Sequence, residues 1–171
     1  MLDKKFLTVH GVFDANTQQI LQGYQNTIKT HKLQSGHTEI PYHISFGSFA
    51  VCDVDALIGA VNNFCNKEYT FTVNLTSVEQ FGTKVVYLKP QINDSISKLH
   101  SLFNSNYANG YDYVPHITMF MGNSFDVVKV TNLLTEIFLP LIGEITELHI
   151  GEFFPPKLVY SKKLLTVTSK L

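Results

Sequence analysis

The sequence repeats one order of secondary-structure patterns, and this repeat is the feature that most constrains the fold. Runs rich in β-branched and aromatic residues alternate with runs whose apolar residues recur every three or four positions. From the N-terminus these patterns predict strand, helix, strand, helix, strand, and the same order begins again near residue 83. We therefore expect two similar halves that are related by a pseudo-two-fold axis.

The repeat predicts a single domain over residues 1–171, with a first lobe at about 1–80 and a second lobe at about 81–171. A chain of 171 residues is long enough to bury one sizeable core. We expect an α+β fold in which antiparallel-rich sheets line a central cleft and the helices lie outside. This arrangement also permits strand exchange between the lobes.

The middle strand of each half carries the same short motif, which is a histidine, an apolar residue and a hydroxyl residue. The sequences are HISF, beginning at His43, and HITM, beginning at His116. Side chains two positions apart on a strand project from the same face. His43 therefore points with Ser45, and His116 points with Thr118, while the intervening isoleucines face the packed interior. The pseudo-two-fold relation places the two pairs face to face across the cleft.

Two imidazoles and two hydroxyls that converge on one cleft suit phosphodiester chemistry. Imidazole has a pKa of about 6.5, so one ring can be protonated while the other is free. One histidine can take a proton from the attacking oxygen while the other gives a proton to the leaving oxygen. Ser45 and Thr118 can hold the non-bridging oxygens. Because this chemistry needs no metal and the sequence contains no visible ligand cluster, we expect neither a metal nor another cofactor.

The charge balance favours a small substrate over a long polyanion. The net charge of −1 and the pI near 6.6 provide no general attraction to a nucleic-acid backbone. All 13 basic residues are lysines, so bidentate arginine contacts with phosphate are not possible. Neither a signal-peptide pattern nor a stretch of ~20 apolar residues is present. With Cys52 and Cys65 interpreted as small buried residues, these features predict a cytoplasmic protein without a membrane partner. We also expect a monomer.

The two motifs, in two pseudo-symmetric halves, resemble those of the 2H phosphoesterase superfamily, which includes 2′-5′ RNA ligases and LigT-like cyclic phosphodiesterases. The resemblance implies a bilobal α+β fold and metal-independent phosphodiester chemistry, with His43, Ser45, His116 and Thr118 as the active tetrad. It implies substrates such as RNA ends with 2′,3′-cyclic phosphates, opened to 2′-phosphates, or 2′-5′ linkages that are hydrolysed or ligated. It also favours His116 as the base and His43 as the acid.

Two alternative functions stay open at this point. Some members of the superfamily degrade cyclic or 2′-5′ oligonucleotide immune signals, and the near-neutral charge suits such a small substrate. The other alternative is a module that binds a nucleotide or an RNA end without turnover. This second alternative is disfavoured because binding alone does not require two titratable imidazoles.

Two aromatic residues near the second motif are candidate substrate contacts. Phe120 shares its strand parity with His116 and Thr118, and Tyr113 lies in the segment that leads to the motif. Either ring can stack on a nucleobase, although packing is the competing interpretation for both. His10, on the first strand, is expected either to pack or to face the cleft.

Overall fold

The computed structural model of the protein describes residues 5–35, 40–50, 53–104, 112–153 and 155–167. In these ranges the chain forms its elements in the predicted order. The strands are β1 (Phe6–Phe13), β2 (His43–Ala50), β3 (Phe71–Phe81), β4 (Val85–Pro90), β5 (Ile117–Met121), β6 (Leu141–Phe153) and β7 (Lys157–Lys163). The helices are α1 (Ala15–Thr30), α2 (Val54–Cys65), α3 (Asp94–Phe103) and α4 (Ser124–Ile137). None of these four helices is long and apolar enough to span a membrane.

A short polar residue precedes each helix and caps it. The side chains of Asp14, Asp53, Asn93 and Asn123 each accept a hydrogen bond from a backbone N–H group of the first turn. Such a cap satisfies an N–H group that has no partner inside the helix and contributes ~1 kcal/mol to stability. The caps therefore determine where the helices begin, including α3, which begins at Asp94 whereas its apolar spacing predicts a helix over residues 91–104.

The strands form one antiparallel sheet in the order β2-β1-β6-β3-β4-β5, and β7 pairs with β6. The third strand of each half pairs with the first strand of the other half, because β6 pairs with β1 and β3 pairs with β4. The strands β3 and β6 also pair with each other, so the two halves share one sheet. If each strand is replaced by its equivalent in the other half, the same strand order results, read from the opposite end. The α+β fold and its pseudo-two-fold repeat are therefore confirmed.

The pairing of β3 with β4 and with β6 explains where the predicted strand bounds were too short. The sequence patterns predict strands at 69–77 and 144–153, whereas β3 reaches Phe81 and β6 begins at Leu141. The added residues 78–81 of β3 pair with β4, and the added residues 141–143 of β6 pair with residues 73–75 of β3. The pairing of β6 with β3 joins segments that are far apart in sequence, and local patterns therefore do not contain it.

The two faces of the sheet have different compositions. On β1, Leu7 and Val9 belong to the buried apolar cluster that also contains Leu21 of α1. Because side chains alternate along a strand, His10 projects from the opposite face. That second face carries the candidate site, and the helices pack against the first.

Candidate active site

The two motifs lie on the outer strands of the sheet, β2 and β5, which come into contact with each other. His43 is the first residue of β2, and His116 immediately precedes β5. These strands are at opposite ends of the sheet order, so their contact requires a strongly curved sheet. The strands that carry the two motifs therefore contact each other.

The same irregularity follows the hydroxyl residue of each motif. On β2, Phe46 is an extra residue between two consecutive partners of β1, and on β5 Met119 is extra between two consecutive partners of β4. Such β-bulges bend a strand and increase its twist. Both extra side chains are buried. The bulges therefore bend β2 and β5 at equivalent points, directly after Ser45 and Thr118.

Both motif histidines are held in the same way. Nδ1 of His43 donates a hydrogen bond to the carbonyl oxygen of Pro41 at 2.7 Å, and Nδ1 of His116 donates to that of Val114 at 2.8 Å. A carbonyl oxygen only accepts, so each bond requires a proton on Nδ1. In the neutral ring, Nε2 is then the nitrogen that can accept a proton. The fold therefore selects the same tautomer for both rings.

The hydroxyl residues Ser45 and Thr118 are partly exposed. Neither side chain forms a hydrogen bond with another residue that the structure describes. In the strand register, Ser45 lies opposite His10, and Thr118 lies opposite Tyr87. Both hydroxyls can therefore donate to a bound anion without breaking a bond to the described part of the protein.

A row of titratable side chains behind His43 crosses from β1 to β6. The ring centroid of His10 lies 4.4 Å from that of His43 and 5.7 Å from that of His149. Nε2 of His149 lies 2.9 Å from a carboxylate oxygen of Glu147, and Nδ1 of His10 lies 3.0 Å from the hydroxyl of Thr8. Burial, reinforced by the two neighbouring imidazoles, holds the pKa of His10 well below its ordinary value. His10 is therefore a neutral ring at neutral pH.

The equivalent positions behind His116 carry different side chains. The ring of Phe81 lies edge-on to that of His116 at 4.9 Å and stacks on Tyr87 at 4.1 Å. The hydroxyl of Tyr87 donates to Glu79 at 3.1 Å, and Glu79 also accepts from Lys89 at 2.9 Å. Burial lowers the pKa of His116, while its hydrogen bond to the backbone partly opposes this effect. The surroundings therefore favour the neutral form of His116.

Tyr113, a predicted substrate contact, connects the two halves of the protein. Its ring is stacked on His100 with a centroid distance of 3.6 Å and an interplanar angle of 6°. Its hydroxyl donates to the carbonyl oxygen of Ser45 at 2.9 Å, and Nδ1 of His100 donates to that of Phe46 at 3.0 Å. Burial raises the pKa of Tyr113, so the phenol remains a donor. One face of the ring is occupied, and only the other face remains for a substrate.

Phe120, the other predicted contact, faces the core. The prediction extended the parity of His116 and Thr118 along the strand, but the bulge at Met119 interrupts that alternation. Phe120 lies opposite Val86 instead, belongs to the apolar cluster and is 0% exposed. A ring without exposed surface cannot stack on a base, so we do not retain Phe120 as a substrate contact.

The row formed by His10, His149 and Glu147 was not identified from the sequence as a group. The register of β1 and β6 pairs His10 directly with His149, and only this long-range pairing brings the two rings together. The one indication in the sequence was that His10 lies on a strand next to the cleft, where its side chain was expected either to pack or to face the cleft. In the part of the chain that the structure describes, no group of three or more His, Cys, Asp or Glu residues is arranged to hold a metal ion.

Comparison with known proteins identifies the fold. No protein-family model and no curated protein sequence matches the chain. Among solved structures, E. coli LigT complexed with 3′-AMP matches with a TM-score of 0.65 and 14% identity, over 95% of this chain and 99% of LigT. TT0787 of Thermus thermophilus matches with a TM-score of 0.63 and 11% identity, over 93% and 97% of the two chains. A structure described as a phosphoesterase matches with a TM-score of 0.59 and 14% identity, over 94% and 98%.

These matches cover nearly the whole of each chain, so they compare the complete arrangement of both halves. At such low identities the likeness concerns the fold. The chain has the fold of LigT, which is the fold that the resemblance of the two motifs predicts.

Proposed function

We propose that the protein is a phosphodiesterase that acts on RNA ends or small nucleotides by two-histidine acid–base catalysis. The observation that carries this proposal is the identical anchoring of His43 and His116, each through Nδ1 to a carbonyl two residues earlier. Each histidine is also followed, two residues later, by a hydroxyl residue, Ser45 or Thr118. Two oriented imidazoles suit a reaction that removes one proton and delivers another.

On a 2′,3′-cyclic phosphate, a water oxygen attacks phosphorus while Nε2 of His116 takes a proton from the water. The bond between phosphorus and O3′ breaks, and Nε2–H of protonated His43 gives its proton to O3′. The product is a 2′-phosphate with a free 3′-hydroxyl, and the two histidines have exchanged protonation states. Ser45 and Thr118 donate to the non-bridging oxygens, where negative charge increases in the transition state. No step requires a metal ion.

The surroundings of His116 support its role as the base. Burial lowers its pKa, so its Nε2 is unprotonated and ready to accept a proton at neutral pH. The ring of Phe81 is nearly perpendicular to that of His116 and carries no formal charge that would favour the imidazolium. His43 is then the acid, and in the reverse direction, which joins 2′-5′ ends, the two roles exchange.

Complexes of the structural neighbour support a nucleotide substrate. E. coli LigT was crystallised with 3′-AMP, with ATP and with phosphate, and these structures match this chain with TM-scores from 0.63 to 0.65. The net charge of −1 and the absence of arginine in this chain favour a short substrate over a long polymer.

The proposal is tested by hydrolysis of a 2′,3′-cyclic nucleotide and of a short RNA with a cyclic phosphate end, both in EDTA. We expect a 2′-phosphate product from the native protein. His43→Ala and His116→Ala each remove one proton-transfer step and should lower kcat by about 10²- to 10⁴-fold. Ser45→Ala and Thr118→Val each remove one donor to the transition state and should lower kcat by about 10²-fold.

The matched control is His31→Ala, which removes an exposed imidazole at the end of α1 and should leave turnover unchanged. Circular dichroism of every variant separates loss of chemistry from loss of fold. Turnover that disappears in EDTA, or that survives both motif-histidine substitutions, contradicts the two-histidine mechanism. Binding without turnover on cyclic phosphates, cyclic oligonucleotides and 2′-5′ oligonucleotides would identify a binding module instead.

A further inference from the structure

The ring of His10 lies against that of the proposed acid, His43. The two ring centroids are 4.4 Å apart, and the ring planes are inclined by 46° to each other. The strand register also places His10 opposite Ser45, so His10 adjoins both functional residues of the first motif. His10 is only 5% exposed and takes no part in the proposed proton transfers. Its contact with His43 therefore calls for a different role.

Three neighbours fix the orientation of the His10 ring. Nδ1 lies 3.0 Å from the hydroxyl of Thr8 on the same strand. A Cβ atom on Gly151 would lie 3.0 Å from Cε1 of His10, so the glycine lets the ring pack closely on β6. The ring of His149 adjoins that of His10 at a centroid distance of 5.7 Å and an angle of 60°. These contacts hold the ring in place beside His43.

The groups around His10 oppose its protonation. Burial is the main cause that lowers the pKa of His10, and the charges of His43 and His149 lower it further. Behind this row, Nε2–H of His149 donates to Glu147 at 2.9 Å. His10 therefore stays neutral when His43 is protonated. Further titratable groups near the row or near β2 are Lys163, which pairs with Glu147 in the strand register, Lys157, which lines a small cavity with His10 and His149, His100 on α3, and His116 of the second motif.

A neutral aromatic ring beside a histidine favours the protonated form of that histidine. A cation within about 6 Å of the centroid of an aromatic ring is attracted to the face of the ring. The centroid distance of 4.4 Å between His10 and His43 lies within this range. General acid catalysis requires that His43 hold a proton at the working pH. The contact therefore supplies what the acid needs, whereas an imidazolium at position 10 would repel that of His43.

Aromatic rings also lie near His116, but their geometry differs. The ring centroids of Phe81 and Tyr87 are 4.9 and 5.7 Å from that of His116, with interplanar angles of 88° and 67°. Burial lowers the pKa of His116, so these rings do not outweigh the cost of burying its charge. The contact of His10 with His43 is closer and less steeply inclined. It is therefore the stronger case of one ring face meeting another.

We propose that His10 is a positioning residue that keeps the acid His43 protonated by lying against it with an aromatic face. This inference rests on the proposed function and adds a residue on which the acid depends. The aromatic face, and not either ring nitrogen of His10, carries the role. Thr8, Gly151 and His149 hold that face in position.

The test is a titration of the Cε1–H signals of ¹³C-labelled histidines by NMR, in which the signal of His43 is identified by its loss in His43→Ala. The matched variants are His10→Leu and His10→Phe. Both place an apolar side chain beside His43, but only phenylalanine keeps an aromatic face. We expect His10→Leu to lower the pKa of His43 by about 0.4 to 1.5, and His10→Phe to leave it unchanged or raise it.

The pH profile of kcat/KM on a 2′,3′-cyclic mononucleotide is the second readout. Its alkaline limb reports the acid, so this limb should move to lower pH in His10→Leu by the same amount as the pKa of His43. The plateau value should change by less than about threefold, because His10 does not touch the substrate. The control is Tyr87→Leu, which removes the ring opposite Thr118 and should leave the pKa of His43 unchanged.

Equal pKa values of His43 in His10→Leu and His10→Phe would overturn the inference, since the aromatic face would then contribute nothing. A shift of the acidic limb in place of the alkaline limb would also overturn it, because His43 would then be the base. If His10→Leu does not fold, His10→Gln also lacks the ring and should show the same decrease. If no substrate is hydrolysed, the phosphodiesterase proposal fails, and the NMR titration alone decides whether His10 favours the protonated form of His43.

Discussion

Replacing Tyr113 with phenylalanine tests whether this residue holds the site together or contacts the substrate. The change keeps the ring on His100 and removes only the hydroxyl that donates to the carbonyl oxygen of Ser45 at 2.9 Å. One hydrogen bond contributes about 0.5–1.5 kcal/mol net, so we expect the free energy of unfolding to decrease by this amount. For a chain of this size, the corresponding decrease in Tm is about 1–6 °C.

Tyr113→Leu should destabilise the protein more, because it removes the stack on His100 together with the hydrogen bond. An aromatic pair contributes about 0.5–1.5 kcal/mol beyond the burial of its surface. Urea unfolding of the native protein, Tyr113→Leu, His100→Leu and the double variant forms a cycle. The coupling free energy of this cycle should equal the contribution of the aromatic stack. The hydrogen bond from His100 to Phe46 is lost both in His100→Leu and in the double variant, so its energy cancels in the cycle.

The kinetic consequence of Tyr113→Phe separates the two roles. A residue that positions the backbone of Ser45 should affect kcat on a 2′,3′-cyclic mononucleotide by less than about tenfold and leave KM unchanged. A KM that increases by about tenfold or more, with unchanged stability, would refute this reasoning. That result would instead show that the phenol contacts the substrate, as the position of Tyr113 before the second motif predicts.

Two further predictions concern packing and pH. Gly47→Ala should lower the free energy of unfolding by about 1–3 kcal/mol, because the new methyl group overlaps the carbonyl oxygen of Phe103; an unchanged Tm would contradict this contact. His10 and His116 have pKa values below 6.5 in the folded protein, so the unfolded chain binds protons near pH 6.5 that the folded chain does not. In urea unfolding between about pH 5 and 7.5, the free energy of unfolding should therefore decrease as the pH falls. This decrease should be less steep in His10→Gln than in the native protein. Identical pH profiles of the two proteins would exclude His10 as a cause.

The sequence was sufficient for the elements and for the positions of the two motifs, because both depend on local patterns. Apolar spacing and the capping residues Asp14 and Asn123 determine α1 and α4 from nearby residues alone. Strand alternation correctly paired His43 with Ser45. The alternation failed at Phe120, because a bulge depends on how β5 fits against β4 and leaves no mark in the order of apolar and polar residues.

The surroundings of the motif histidines were beyond sequence reasoning for a different reason. His10 meets His149 only because β6 crosses to the other half and pairs with β1 in one particular register. Likewise, Tyr113 stacks on His100 within its own half, and it reaches Ser45 only through packing between the halves. A repeat in the sequence predicts that equivalent strands exist, but the register between distant strands depends on the packing of the whole core.

The backbone symmetry and the side-chain asymmetry of this site have separate consequences. The repeat gives His43 and His116 the same anchoring to a carbonyl, so in both neutral rings Nε2 is the nitrogen that can accept a proton. A strictly symmetric site would leave both rings with the same tendency to hold a proton, whereas acid–base catalysis requires one protonated and one free ring. The side chains behind the motifs break this equivalence, because His43 contacts the neutral imidazole of His10 while His116 packs against Phe81. We therefore infer that exchanging these neighbouring side chains between the halves would change the pH dependence of the proposed reaction. The proton-transfer steps themselves should change less, because the backbone carbonyls fix the tautomer of each ring.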